Sequence, residues 1–112
     1  MTHESRSQEE LLERRLDPRY AVQMPASLLW GQERYEGTVR NVSTRGVYLT
    51  LEVRAEELRA EDAVMVMLGE PAVSREATIV RVEPTEKNGE PVGVGLVLHE
   101  PIDVRALTER FL

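Results

Sequence analysis

Period-two alternation of apolar and polar residues governs most of the chain between Ala21 and Leu98. Val22, Met24, Ala26 and Leu28 alternate with Gln23 and Ser27, and Pro25 within that run marks an edge or a bulge. Trp30 to Glu33 reads as a turn, and Tyr35 to Val42 as a second strand. Val47, Leu49 and Leu51 alternate with Tyr48 and Thr50 as a third. A charged connection from Arg54 to Asp62, with room for one turn of helix, leads to Val64, Val66 and Leu68, which alternate with Met65 and Met67. Gly69 to Pro71 turns the chain into a fifth run, Val73 to Val82, whose facing the pattern does not assign because Ile79 and Val80 are adjacent. Asn88 and Gly89 close a hairpin, loosened by Glu90 and Pro91. The sixth run then sets Val92, Val94, Leu96 and Leu98 on one face and Gly93 and Gly95 on the other. Alternation of this kind turns one face to a core and the other to water. Six such runs joined by turns predict an all-β chain, a small six-stranded antiparallel β-barrel.

Helical signals fall only at the two ends. Ser7 to Glu10 has the form of a capping box opening a short helix through Leu11, Leu12 and Leu16, which Pro18 stops. So short a helix is marginal by itself in water, so its order depends on docking. After Pro101, Asp103 is placed as the N-cap of a terminal helix carrying Val104, Leu107 and Phe111 on one face. That stripe requires a partner surface, either the barrel mouth or a second copy of the chain, which leaves a homodimer open.

Charge narrows the partners. The 112 residues carry a net charge of −6, which disfavours a long duplex, because affinity for one comes mainly from phosphate contacts. The basic residues are nearly all arginine, with Lys87 the single lysine. Arginine suits forked hydrogen bonding to phosphate or guanine, so a small anion held by a local arginine cluster fits an acidic chain. There are no cysteines, which excludes disulfides, thiolate metal sites and cysteine nucleophiles. No apolar run approaches the roughly 20 residues of a membrane helix, and the first residues hold no secretory apolar stretch. The expected compartment is the cytoplasm, with no membrane partner.

Two short stretches carry the candidate chemistry. Arg15 and Arg19, preceded by Arg14, lie just before the first strand on a segment hinged at Pro18. Two guanidinium forks on such an arm reach phosphates and the O6/N7 edge of guanine. A bidentate arginine–guanine contact gives roughly 1–3 kcal/mol of discrimination. By spacing alone these arginines equally suit a solvated face paired with Glu10 and Glu13. Asn41, Ser43 and Gly46 lie between the second and third strands, with Arg45 among them. By type they are also the residues of an ordinary turn, with Gly46 at a left-handed position. As a site, the loop presents an amide, a hydroxyl and a third positive fork.

Taken together and in this order, Arg15-x-x-x-Arg19 before the first strand and Asn41-x-Ser43-x-x-Gly46 after the second resemble the PilZ domain, a bacterial receptor for cyclic di-GMP. Val92 to Leu98 is similar to that family's last strand, where an aromatic is common and this chain has Leu98. The resemblance runs from about Arg14 to Leu112, with residues 1–13 as a flexible or short helical leader. It implies that Arg15 and Arg19 hold phosphates and guanine edges, and that Asn41, Ser43 and Gly46 surround one guanine. It also implies, from Arg14, two stacked ligand molecules per site. The implied mechanism orders a mobile arm, Ser7 to Tyr20, over the barrel, giving a shape that a partner protein reads. Such coupled ordering costs about 2–5 kcal/mol. Ligand apart, no cofactor is expected.

Three other readings remain at this point. A nucleotide-free adaptor keeps the fold and drops the ligand. An enzyme lacks support: His3 and His99 fall outside any constellation, Ser43 has no base nearby in sequence, and Glu33 and Glu36 read as solvent-facing. No metal-ligand spacing or phosphate-cradling glycine loop occurs. Tyr20, Trp30, Tyr35 and Tyr48 could stack single-stranded bases, but they are few and the net charge is negative, so packing is the expected use and no nucleic acid partner is assigned.

Overall fold

The computed structural model describes residues 18–53, 55, 57–84, 92–109 and 111. Six strands, β1 (Tyr20–Trp30), β2 (Glu33–Val42), β3 (Gly46–Leu51), β4 (Ala63–Leu68), β5 (Val73–Pro84) and β6 (Val92–Leu98), form a closed barrel in the order β1-β2-β3-β6-β5-β4. Every neighbouring pair is antiparallel. Closure gives each strand two partners and removes the open edge that would otherwise invite pairing with another chain.

The alternation predicted from sequence is what fills the interior. Met24, Leu28, Val39, Leu49, Leu51, Val66, Leu68, Ile79 and Val94 are fully buried. Burying each such side chain is worth about 1.5–3 kcal/mol relative to exposure. β1 and β2 join through Gly31 and Gln32, with Gly31 at a φ of 59° and Trp30 paired to Glu33. Pro25 sits where its missing N–H is harmless: its carbonyl accepts from Gly69 N (2.9 Å), beyond the last β4 residue paired with β1. A register irregularity between Ala21 and Met24 lies just before it, so the expected bulge is present.

Both mouths are covered. Beyond β3, Ala55 and Leu58 return to the core; Leu58 N donates to Ala55 O, and no helix forms among the described residues of this connection. Trp30 Nε1 and Arg59 N both donate to Asp62 Oδ2, tying its far end down. At the other mouth a short C-terminal helix (Val104–Thr108) starts at Asp103, whose Oδ1 accepts from Ala106 N (3.1 Å) as the N-cap. Val104 is buried and Leu107 and Phe111 pack on the core, so the barrel mouth is the surface this stripe meets. The expected N-terminal helix and the hairpin at Asn88 and Gly89 lie outside the described residues.

Candidate functional site

Antiparallel pairing brings the two sequence stretches together. Tyr20, the first residue of β1, pairs with Val42, the last of β2, so Arg19 leaves the barrel beside Asn41 and the loop that follows it. Arg19 is exposed, and it lines one shallow depression with Asn41 and Gly46. Arg14 and Arg15 lie outside the described residues.

The loop from Ser43 to Gly46 is tightly tied. Ser43 N donates to Gly46 O (2.8 Å), and Gly46 N donates to Ser43 Oγ (3.0 Å). Leu98 N donates to Arg45 O (2.7 Å) and Ile102 N to Thr44 O (3.0 Å), fixing the loop to the end of β6 and to the approach to the C-terminal helix. Ser43 is therefore buried, its hydroxyl engaged within the loop, while Arg45 is exposed. The left-handed position expected for Gly46 is not observed; among the described residues the positive-φ glycines are Gly31 and Gly69. Gly46 is constrained by space instead, since a Cβ there would stand 3.1 Å from Ser43 Oγ.

The floor of the depression comes from residues the motifs do not include. Across the outer face, Asn41 pairs with Tyr48, Tyr48 with Gly95, and Gly95 with Arg81, one row spanning β2, β3, β6 and β5. Two register shifts bracket this row. One lies between Val39 and Asn41 on β2, the other between Ile79 and Arg81 on β5. Each inserts an extra residue, so two consecutive side chains face outward: Arg40 with Asn41, and Val80 with Arg81. The ambiguous facing of Ile79 and Val80 is thereby resolved. The sequence signal for both is the same, a lapse of alternation between two core residues.

The row is internally wired. Arg81 Cζ lies 5.8 Å from the Tyr48 ring centroid, and Arg81 Nε is 3.5 Å from Glu83 Oε2. Tyr48 Oη donates to Glu83 Oε1 (3.1 Å). Partial burial, and then this bond to a carboxylate, push the Tyr48 phenol above its usual range and keep it a neutral donor. Arg40 Nε donates to Thr50 Oγ1 (3.0 Å). Arg19 and Arg81 line the depression, with Glu83 paired to Arg81, and Arg40 and Arg45 are exposed on the strand and loop that supply Asn41 and Gly46.

The depression is small, about 130 Å³. Larger cavities of about 310 and 360 Å³ lie between the C-terminal helix and the β4–β5 turn, and beside that turn near Arg34 and Glu36. Neither is lined by Arg19, Asn41, Ser43 or Gly46. Arg34 is engaged by Glu36 (2.6 Å), and Arg75 by the carbonyls of Ser74 and Pro101, so these cavities do not offer a comparable set of cations. Among the described residues no group of three or more His, Cys, Asp or Glu is arranged to hold a metal, and no helix is long and apolar enough to cross a membrane.

A closed six-stranded barrel with an arginine-rimmed shelf between the start of β1 and the β2–β3 loop defines the class of protein. Residues 13–112 match the model of the PilZ domain, and the chain belongs to that family, one of cyclic di-GMP receptors whose domains generally bind rather than catalyse. Among solved structures it is similar to the Bacillus subtilis inhibitor of motility (MotI/DgrA), with a TM-score of 0.66 and 16% identity over 87% of this chain. The match covers 48% of that protein, so this chain spans about half its length, and the likeness is one of fold. No curated protein matches.

Proposed function

We propose that the chain is a cytoplasmic, non-enzymatic receptor for cyclic di-GMP, which passes the signal to a partner protein by a change of shape. The observation that carries this reading is the convergence of Arg19, Asn41 and Gly46 on one shelf that Arg81 also lines. The leading segment supplies Arg14 and Arg15, which with Arg19 take phosphates and guanine edges. Asn41 and Gly46 meet one guanine, Ser43 fixes the loop that presents them, and Arg45 adds a cation at the rim. A volume of about 130 Å³ is well below the roughly 300–1,000 Å³ of ordinary ligand pockets. In this proposal ligand binding draws Arg14 and Arg15 to the shelf, and that rearrangement is the conformational output. Two stacked ligand molecules are the proposed load. The structural neighbour is by name an inhibitor of motility, and control of motility or biofilm is the process proposed here.

Calorimetric titration with cyclic di-GMP tests this. The native chain is expected to bind about two molecules, and the Arg15→Ala, Arg19→Ala double variant to lose on the order of a hundredfold or more, since hydrogen bonds to charged groups contribute about 1.5–3 kcal/mol each. Absence of heat from the native chain would overturn the receptor and favour an adaptor that acts through protein contacts alone.

A further inference from the structure

The far wall of the shelf, on β5 and β6, is not touched by either motif. Val80 and Val97 are 54% and 45% exposed, two of the large apolar side chains left open to water among the described residues, and both line this depression. A single exposed valine is unremarkable. Here two stand on adjacent strands beside an arginine, and Val80 faces outward only because of the β5 register shift.

Arg81 is held flat. It lies over Gly95, where an added Cβ would stand 3.5 Å from Arg81 Cβ and 3.8 Å from its Nε. Its guanidinium meets the Tyr48 ring and the Glu83 carboxylate, which are themselves hydrogen-bonded to each other, and these contacts favour one placement of it before any ligand arrives. We propose that Val80, Val97 and Arg81 form a base-stacking subsite that receives the face of a purine. The apolar ledge covers the ring, and the guanidinium plane stacks on it or turns its edge to an adjoining phosphate. Arginine planes serve as stacking platforms for unpaired bases, and a cation already fixed in place loses less freedom on binding. This rests on the receptor reading and extends it, assigning the β5 side of the shelf to a guanine of cyclic di-GMP, opposite the guanine held by Asn41 and Gly46.

The experiment titrates cyclic di-GMP into the native chain and into Arg81→Ala, Arg81→Lys and Val80→Ser, with melting curves to verify each barrel. The residues are exposed, so the melting curves are expected to stay in place. Arg81→Ala is expected to weaken binding on the order of tenfold, the low end for losing one stacked base. Val80→Ser should weaken it several-fold by the same reasoning. Arg81→Lys keeps the charge but not the plane and should not restore affinity. Native binding with all three variants within about twofold of it would overturn the subsite and leave the receptor standing. Full recovery by Arg81→Lys would equally overturn it, as the contact would then be one of charge alone. No binding by the native chain would remove both readings.

Discussion

Ser43 holds its own loop together, whatever else it meets. Its hydroxyl accepts from Gly46 N and its amide donates to Gly46 O. Ser43→Ala therefore leaves a partly buried N–H without its acceptor, and is expected to lower the unfolding free energy by about 1–2 kcal/mol in urea titration without ligand. Arg19 makes no hydrogen bond or ion pair among the described residues, and Arg19→Ala should leave the same titration unchanged. If Ser43→Ala were neutral there, the turn hydrogen bonds would not be holding the loop. Tyr35 gives a second residue-scale expectation. Burial, and then its hydrogen bond to Glu57, push the phenol from 10.0 to about 12. The folded state thus binds this proton more tightly than the unfolded chain. The stability it contributes is complete below pH 10.0 and is lost as pH rises through about 12. Tyr48 is raised as well, so absorbance titration of tyrosinate should show delayed ionisation in both the native chain and Tyr35→Phe, with the component near pH 12 lost only in Tyr35→Phe.

Strand by strand, alternation made the barrel legible, and its lapses marked what it did not reveal. Residues 39–42 and 79–82 each set two outward side chains between two inward ones, and these are the places where β2 and β5 slip register around Tyr48 and Gly95. The expectation that Asn41 lies by the first strand follows from a simple hairpin. That Arg81 faces it across four strands depends on β3 pairing with β6, a non-consecutive contact that no local pattern encodes. Gly37 was likewise silent in the sequence. A Cβ there would stand 2.5 Å from the Thr50 carbonyl oxygen, a backbone atom of a strand paired on both sides. Gly37→Ala must push β2 and β3 apart and is expected to cost about 1–3 kcal/mol, as overpacking does. Gly95→Ala meets nothing closer than 3.5 Å, and should cost no stability. Equal melting temperatures for the two variants would contradict the close approach at Gly37.

At the scale of the whole molecule, the described residues close the barrel among themselves. Every strand has both neighbours, and the mouths are covered by Ala55 with Leu58 and by the C-terminal helix, all within the described residues. That core is complete in its strand pairing within the described residues, whereas the proposed site needs Arg14 and Arg15. A chain beginning at Pro18 is therefore expected to fold with a melting temperature close to that of the full chain, and to lose cyclic di-GMP binding. Thermal shift separates the two properties in one measurement. A ligand at about 100 times its dissociation constant adds roughly 2.7 kcal/mol to stability, which for a domain of this size raises the melting temperature by on the order of 10 °C. The full chain should show that rise and the shortened chain none. A shortened chain that melts far lower would mean that the leading segment belongs to the core. One that melts normally and still shows the full rise would place the phosphate contacts on Arg19, Arg45 and the barrel face alone, and closure of the leading segment would no longer explain how the signal leaves the protein.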